Sequence, residues 1–244
     1  MTLIVGLGLI GGSAGIALRR HGRHIRYIDP HVNIDEARQR EAADERADAI
    51  ADDETVLLAT SVDLAVAMLR DIDGPLVTTV CSVMRPLREA ARTRFVAGHP
   101  MAGSHERGLA AARGDLFEGK RWFLDGRDDD VEQLVRDCGA IPELVDADEH
   151  DRAVALTSHL PQILSTALAA YLGEHEDMLR FAGSGLTTFL RLAGSEASVW
   201  KPVIDANRAN IAPHADEIAR VVREIVEGDP ADAFERAQRL WRKL

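Results

Sequence analysis

Short apolar runs alternate with helix-patterned segments over about the first 145 residues of the chain. Such an alternation is typical of strands joined by crossover helices. The runs that we predict as strands are residues 3–5, 25–28, 56–59, 76–80, 95–97 and 122–124. The helices predicted between them are residues 10–20, 34–42, 62–70, 86–93 and 131–137. This pattern predicts an α/β domain built on a parallel sheet.

After residue 146 the strand signals stop, and segments rich in Ala, Leu and Ile have helical spacing as far as the C-terminus. We therefore predict two domains, residues 1–146 and an all-helical domain of residues 147–244. The helical domain begins with a strongly apolar segment, residues 153–172. Because a surface of this kind is usually buried, we expect a homodimer formed through the helical domain.

Composition narrows the classes of function. The chain is 46% hydrophobic and 28% charged, which is typical of a globular protein. We see no apolar run of membrane length and no signal peptide at the start, so we expect a cytoplasmic protein. A net charge of −11 disfavours nucleic acid and anionic membranes as partners. With only two cysteines we predict neither disulfides nor a metal site, so redox chemistry would need a bound cofactor.

A glycine-rich turn follows the first predicted strand. The sequence GLGLIG at residues 6–11 stands between that strand and a helix, which is the context that a dinucleotide-binding fingerprint requires. The first glycine permits a tight turn, the second lets the backbone approach a pyrophosphate, and the third lets the helix pack on the strand. The free amides of the helix N-terminus favour an anion there. We therefore predict a Rossmann-like nucleotide-binding domain.

Asp29 ends the second predicted strand, 23 residues after the first glycine. A carboxylate near this spacing binds the adenosine ribose hydroxyls and repels a 2′-phosphate, so we predict NAD rather than NADP. Arg26 and His31 lie nearby and weaken this preference, and a strand-end turn before Pro30 is an alternative role for Asp29. The residues expected to contact the cofactor are Gly6, Gly8, Leu9, Ile10, Gly11 and Asp29.

Two candidates for catalysis follow the fourth and fifth predicted strands, at the sheet edge where ligands bind. Ser82 follows the fourth strand, and His99 follows the fifth between Gly98 and Pro100. We expect His99 to lie in a constrained loop with an imidazole that titrates near neutral pH. These properties make His99 a candidate general base.

The helical half contributes two further candidates whose roles stay open at this point. His159 is either a buried structural histidine or a ligand contact. Arg191 stands between apolar residues, and it either pairs with a carboxylate of the protein or binds a substrate carboxylate.

Four motifs then carry a resemblance to a known family: GLGLIGGS at residues 6–13, GHPMAG at 98–103, DLFEG at 115–119 and SHLP at 158–161. In this order they are similar to the prephenate/arogenate dehydrogenase family of tyrosine biosynthesis. The resemblance covers nearly the whole chain. It implies a nucleotide domain followed by a helical dimerisation domain, in agreement with the division predicted above.

The resemblance implies NAD-dependent oxidative decarboxylation of prephenate to 4-hydroxyphenylpyruvate. His99 resembles the catalytic histidine that takes the proton of the substrate hydroxyl, and Ser82 resembles a serine that orients the substrate. The implied substrate-binding residues are His159, Arg191, Ser104 and Trp200. Arg191 would bind the ring carboxylate, while Trp200 would approach the partner's site across the dimer or simply pack in the core.

Two departures from the family pattern concern the substrate's side-chain end. The family usually has glutamate where this chain has His105, with Glu106 one position later. It commonly has a basic and an acidic residue where this chain has Thr187 and Thr188. Prephenate, arogenate and 4-amino-4-deoxyprephenate therefore all stay open as substrates, and so does feedback inhibition by tyrosine.

Two other classes fit a nucleotide domain followed by helices. A β-hydroxyacid or imine reductase usually needs a catalytic lysine in its helical domain, and here only Lys201 and Lys243 are available. A non-enzymatic NAD sensor would have no use for the polar residues expected to converge on one pocket. Some family members carry a fused mutase or a regulatory domain, and we expect neither in these 244 residues.

Overall fold

Six parallel strands form the main sheet of the N-terminal half, in a chain of which the computed structural model describes residues 1–104 and 106–243. Their bounds are β1 Thr2–Val5, β2 Ile25–Ile28, β3 Glu45–Arg46, β4 Thr55–Leu58, β5 Leu76–Thr79 and β6 Phe95–Val96. The order across the sheet, β3-β2-β1-β4-β5-β6, reverses between β1 and β4. This is the order of a Rossmann-like fold, whose ligand crevice lies at the carboxyl ends of the strands near that reversal.

The described residues of the same half form five α-helices: α1 Leu9–Arg20, α2 Ile34–Gln39, α3 Val62–Asp71, α4 Arg85–Ala90 and α5 Asp129–Asp137. Successive residues of β1 point to opposite faces of the sheet, as strand geometry requires. Ile4 packs in one hydrophobic cluster with Trp122, while Leu3 and Val5 pack in a second cluster with Val56. Both faces of the sheet are therefore buried, and the predicted α/β domain is confirmed.

A second, smaller sheet contains β7 Gly98–Pro100, β8 Arg121–Leu124 and β9 Ile141–Leu144. Strand β7 pairs antiparallel with β8, and β9 pairs parallel with β8. The prediction of one parallel sheet was therefore wrong for residues 122–124. The pattern also missed β3, β7 and β9, because two of them have only two or three residues and the third contains Pro142.

The helical half begins with one continuous helical run. It consists of α6 Ala147–Val154, a π-helical turn Ala155–His159 and α7 Leu160–Gly173. The side chain of Asp146 caps the start of α6 by accepting a hydrogen bond from the Glu149 amide at 3.0 Å. Since the last strand ends at Leu144, these bounds support the proposed division of the chain between residues 146 and 147.

Three more helices complete this half: α8 Ser184–Phe189, α9 Ala197–Glu227 and α10 Ala231–Trp241. Two 3₁₀ turns, Glu176–Phe181 and Leu190–Gly194, precede and follow α8. Helix α9 packs against α3, α6 and the π-helical turn, and α4 packs against α6. The all-helical second domain is confirmed, and it is docked on the nucleotide-binding half through these contacts.

The run Ala147–Gly173 is long and apolar enough to cross a membrane by length and composition, with a mean hydropathy of 1.2 over its most apolar window. By length and hydropathy, the expectation that the chain contains no apolar run of membrane length was therefore wrong. Only 33% of the window is buried, but its buried positions include His159, Gln162 and Ser165, which hydrogen-bond to other parts of the protein. These contacts are typical of a helix packed inside a folded protein.

Candidate active site

The glycine-rich turn lies at the carboxyl end of β1 and leads into α1. Gly6 has a φ of +92°, and a Cβ there would lie 2.5 Å from the Ala59 carbonyl oxygen, so only glycine fits the turn. A Cβ on Gly11 would lie 2.0 Å from the Gly6 oxygen, because helix and turn pack closely. A Cβ on Gly8, by contrast, would meet no neighbouring atom within 4 Å. Space therefore stays open beside Gly8, where a pyrophosphate would approach the backbone.

Asp29 holds this turn from the neighbouring strand. Its Oδ2 accepts a hydrogen bond from the Leu7 amide at 2.8 Å, and its Oδ1 accepts one from the His31 amide at 2.8 Å. The predicted cofactor residues Leu9 and Ile10 begin α1 and pack, partly buried, on the first hydrophobic cluster. The turn and the carboxylate expected to bind the ribose are thus one connected unit.

His99 lies in β7, opposite Phe123 of β8, so the prediction that it lies in a loop was wrong. Gly98 brings β7 to the carboxyl end of β5, where the Thr79 hydroxyl contacts both the amide and the carbonyl of Gly98 at 3.2 Å. A Cβ on Gly98 would lie 2.6 Å from the carbonyl oxygen of Thr79, so a side chain at this position would push β7 away from β5. This close packing of β7 on β5 places His99 on the same sheet edge as the glycine-rich turn.

Two histidines of the helical half lie close to His99. His150 and His159 are nine positions apart, which at about 100° per residue puts them on opposite faces of an α-helix. The π-helical turn between them adds one residue to a turn, which reduces the angle between the two side chains from about 180° to about 80°. Pro161 follows that turn and has no amide hydrogen to donate, which favours a break in the α-helical bonding.

A chain of short contacts joins His99 to Asp151 through His150. Nδ1 of His99 lies 2.9 Å from Nε2 of His150, and Nδ1 of His150 lies 2.9 Å from Oδ1 of Asp151. We call these three side chains the relay. The Asp151 carboxylate also accepts hydrogen bonds from the backbone amides of Met84 at 2.8 Å and Arg85 at 3.0 Å. It therefore ties α6 to the start of α4, and it acts on His99 only through His150.

Asn207 of α9 connects the relay to His159. Its side-chain Nδ2 donates to the Asp151 carbonyl oxygen at 2.8 Å and lies 3.1 Å from Nδ1 of His159. Nε2 of His159 is buried and has no hydrogen-bond partner among the described residues. The indole ring of Trp200 meets the His159 ring edge-on, with 5.9 Å between the ring centroids. Trp200 thus contacts the site residue of its own chain.

Both candidate histidines are held in the neutral form. Burial, with the neighbouring rings of His150 and His159, lowers the pKa of His99 to about 3, so the expectation that this imidazole titrates near neutral pH was wrong. Burial also lowers the pKa of His159 to about 4, although the nearby Asp151 carboxylate acts in the opposite direction. A neutral imidazole has one nitrogen free to accept a proton, so each ring can act as an acceptor at neutral pH.

The other predicted site residues differ in how far they approach this cluster. The Ser82 backbone lies beside His159. The Ser104 hydroxyl accepts a hydrogen bond from the Glu106 amide at 3.1 Å in an exposed turn, and the predicted effect of His105 falls outside the described residues. Arg191 is exposed in the turn Leu190–Gly194, with no hydrogen bond to the histidines among the described residues.

Two hydrogen bonds from α7 hold the turn that carries Arg191. Gln162 donates to the Leu192 carbonyl at 2.8 Å, and the Ser165 hydroxyl donates to the Phe189 carbonyl at 2.9 Å. Helix α7 therefore fixes the backbone on either side of Arg191, whose side chain is exposed.

Three residues of the cluster were missed by the sequence patterns: His150, Asp151 and Asn207. The first two stand in the charged stretch ADEHDR, which indicates an exposed helix start and not a buried pair. No metal site competes with this cluster, since no group of three or more His, Cys, Asp or Glu within residues 1–104 and 106–243 is arranged to hold a metal ion.

A Rossmann-like domain joined to a helical domain, with a histidine cluster at the ligand-binding edge, is the arrangement of a nucleotide-dependent dehydrogenase. The chain matches two family models, "Prephenate dehydrogenase, nucleotide-binding domain" over residues 14–147 and "Prephenate dehydrogenase, dimerization domain" over residues 146–237. The chain belongs to the prephenate dehydrogenase family. The first match begins after the glycine-rich turn, so the nucleotide-binding assignment of that turn rests on its geometry.

Individual relatives agree with this membership. The prephenate dehydrogenase of Bacillus subtilis is 31% identical over 253 residues, covering 91% of this chain and 68% of the relative. A crystal structure of the Aquifex aeolicus prephenate dehydrogenase, in complex with hydroxyphenyl propionate and NAD+, has a TM-score of 0.84 at 26% identity and covers 100% of this chain and 96% of that one. The Synechocystis arogenate dehydrogenase shares the fold, with a TM-score of 0.76 at 23% identity and coverage of 100% and 97%.

The open space beside Gly8 generates a test of the nucleotide site. We expect Gly8→Ala to fold with an unchanged Tm, because the added methyl meets no protein atom within 4 Å. The same methyl would occupy the space of the pyrophosphate, so nucleotide affinity should fall about tenfold or more. Calorimetric titration with NAD and a thermal melt measure the two effects. Unchanged affinity at unchanged Tm would show that the nucleotide does not lie against Gly8.

Proposed function

We propose that this protein is an NAD-dependent dehydrogenase that oxidatively decarboxylates prephenate to 4-hydroxyphenylpyruvate, a step of tyrosine biosynthesis. The observation that carries the proposal is His99, a neutral imidazole on the sheet edge that also holds the glycine-rich turn. Strands β1 and β5 are separated by β4, so the carboxyl ends of β1 and β5 are about 10 Å apart, and the turn follows the first while the strand of His99 adjoins the second. An extended dinucleotide can span that separation. The presence of NAD+ in the Aquifex structure supports the same cofactor here.

Asp29 and the pairing of Arg26 both favour NAD over NADP. Asp29 presents a carboxylate where a 2′-phosphate would lie, and like charges repel. Arg26, which could have offset that repulsion, donates to the buried carboxylate of Glu54 at 2.8 Å. Its guanidinium is therefore already paired. This pairing removes the main argument for NADP that the sequence left open.

The proposed chemistry assigns a proton step to His99. Bound NAD accepts the hydride from C4 of the substrate ring. His99, as general base, accepts the proton of the C4 hydroxyl, so that a carbonyl group develops at C4. The C1–carboxylate bond then breaks, CO2 leaves, and the bonding electron pair makes the ring aromatic. The oxygen at C4 takes back a proton to give the phenol, so protons, electrons and carbon are balanced.

We assign substrate-binding roles to the other residues around the cleft. His159 and the segment of Ser82 lie next to each other and beside the relay, which supports a role in orienting the ring. Arg191 is proposed to bind the ring carboxylate, since its turn is fixed and its guanidinium is exposed. Trp200 packs edge-on against His159, which supports a place for it beside the substrate. Ser104 is proposed to contact the substrate from the exposed turn after β7.

Arogenate and 4-amino-4-deoxyprephenate are the alternative substrates. The likeness to an arogenate dehydrogenase is one of fold, and Thr187 and Thr188 supply no charge that would select the side chain. A reductase that relies on lysine is not supported, because Lys201 is exposed on α9 and pairs with Asp205.

The activity is tested by following NAD reduction with prephenate, arogenate and aminodeoxyprephenate offered in parallel. We expect turnover with prephenate, and a higher kcat/KM with NAD than with NADP. No turnover with any of the three would sink the assignment, and equal efficiency with both cofactors would contradict the role of Asp29.

The role of His99 is tested in the same assay with the variant His99→Ala. We expect kcat to fall on the order of 10²-fold or more, with NAD affinity unchanged, because the base is lost and the nucleotide turn is intact. In the native protein the active, neutral form of His99 persists above its pKa of about 3 and is lost as pH falls through it. His99 should therefore produce no loss of kcat/KM between pH 8 and about pH 5. A loss centred near the ordinary histidine value would contradict the burial argument.

Arg191→Ala tests the carboxylate site. Loss of a charge-assisted hydrogen-bonding partner should raise KM for prephenate about 10- to 100-fold while the KM for NAD stays constant. Arg70→Ala, which removes an exposed arginine of α3, serves as control. An unchanged KM in Arg191→Ala would indicate that this arginine only covers the surface.

We also propose a homodimer formed through the helical domain. The matched family model is a dimerization domain, and this half exposes large apolar side chains: Tyr171, Phe181, Phe189, Val226, Phe234 and Trp241. A monomer rarely exposes this much apolar surface. Sedimentation equilibrium should give twice the 26.6 kDa protomer mass. A protomer mass at micromolar concentration would contradict the dimer.

A further inference from the structure

The carboxylate of Asp151 determines which nitrogen of His150 carries the proton. A carboxylate only accepts hydrogen bonds, and this one faces three donors, of which two are the backbone amides of Met84 and Arg85. The third is Nδ1 of His150 at 2.9 Å, which must carry a hydrogen to make the contact favourable. In a neutral ring the other nitrogen, Nε2, is then an acceptor.

The same logic continues to His99. Nε2 of His150 lies 2.9 Å from Nδ1 of His99, so an acceptor on His150 requires the proton to be on Nδ1 of His99. Nε2 of His99 is left with its lone pair and takes no part in the relay. That nitrogen is the one able to accept a proton from a substrate.

His159 is held in the opposite tautomer. The amide nitrogen of Asn207 faces the Asp151 carbonyl, which only accepts hydrogen bonds, and this fixes the orientation of the amide group. The second hydrogen on that nitrogen points to Nδ1 of His159, which is therefore an acceptor. Nε2 of His159 then carries the proton. The Ser82 backbone beside this ring favours the protonated nitrogen, although Nε2 makes no hydrogen bond of ordinary geometry among the described residues.

We propose that His150, Asp151 and Asn207 are positioning residues that hold His99 and His159 in opposite tautomers, one with an acceptor at Nε2 and the other with a donor. This inference rests on the proposed dehydrogenase function. The pair is matched to a substrate that offers a hydroxyl hydrogen to His99 and an oxygen lone pair to His159. Neither histidine needs to change its protonation state before the substrate binds.

The relay also supports the charge that forms during the reaction. When Nε2 of His99 accepts a proton, the ring becomes an imidazolium that still donates from Nδ1 to His150. The negative charge of Asp151 then acts on it through the His150 ring, as an aspartate does in a catalytic triad. Because His150 and Asp151 belong to α6, the base in β7 is complete only when the helical half is docked.

The direct test needs no substrate. Protein labelled with ¹⁵N at histidine reports, through the ¹⁵N shifts and ring couplings, which ring nitrogen carries the proton. His99→Gln and His159→Gln assign the two sets of signals by their loss. We expect the proton on Nδ1 of His99 and on Nε2 of His159 at neutral pH. A proton on Nε2 of His99 in the native protein would overturn the proposal.

Two variants then test His150 itself. His150→Leu removes the acceptor, so His99 should populate both tautomers and kcat should fall on the order of 10²-fold with an unchanged KM for NAD. His150→Gln places an oxygen near the lost Nε2, and it should restore the His99 tautomer and most of kcat. His24→Leu, which removes an exposed histidine of the nucleotide-binding half, is the matched control.

The possible outcomes distinguish failure of the tautomer proposal from failure of the proposed dehydrogenase function. A purely structural His150 would lower Tm alike in both variants and leave the His99 tautomer unchanged, which would overturn the proposal. If no substrate is turned over, the proposed function fails, while the ¹⁵N measurement still decides between the two tautomers. Should His150→Leu not fold, the native spectrum and His150→Gln are sufficient for the decision.

Discussion

The site depends on one buried carboxylate, that of Asp151. It accepts hydrogen bonds from the amides of Met84 and Arg85 in the nucleotide-binding half and from His150 beside it in α6. Burying a charge is costly unless hydrogen bonds satisfy it, and removing one partner of such an arrangement typically costs about 3–5 kcal/mol. The same interactions therefore dock the two halves of the chain and set the hydrogen bonding of the histidines.

This coupling explains why the residues of the candidate active site come from distant parts of the sequence. The sheet supplies a rigid edge with the glycine-rich turn and His99, while the helical half supplies His150, His159 and Asn207. In the rings of His99 and His159 one nitrogen is held by the protein and the other is left for a ligand, whereas both nitrogens of His150 are used within the relay. A dehydrogenase needs this precision because the hydride and the proton leave adjacent atoms of the substrate.

Much of the fold was predictable because it depends on local patterns. The glycine-rich turn between strand and helix indicated the Rossmann-like domain, and the position of Asp29 after β2 follows from strand length. The end of the strand signals near residue 146 separated the two halves. These features are set by neighbouring residues along the chain.

The rest of the site depends on contacts that no local pattern records. His99 lies in a strand of only three residues, formed because Gly98 packs closely on Thr79. His150 and His159 both approach His99 only because the π-helical turn reduces the angle between them, whereas regular helical periodicity places them on opposite faces. Asp151 is buried within a charged sequence because backbone amides of a distant segment satisfy it.

Asp151 thus couples docking of the helical half to the function of His99. This coupling is measured by comparing Asp151→Asn with Asp44→Asn. The Asp44 carboxylate accepts the Ile25 amide and, among the described residues, hydrogen-bonds to none of the histidines of the site. Amide hydrogen exchange and turnover are followed in both. We expect Asp151→Asn to lose protection at Met84 and Arg85 together with kcat, and Asp44→Asn to lose protection at Ile25 with kcat preserved. Lost protection with native kcat in Asp151→Asn would show that docking and the function of His99 are independent.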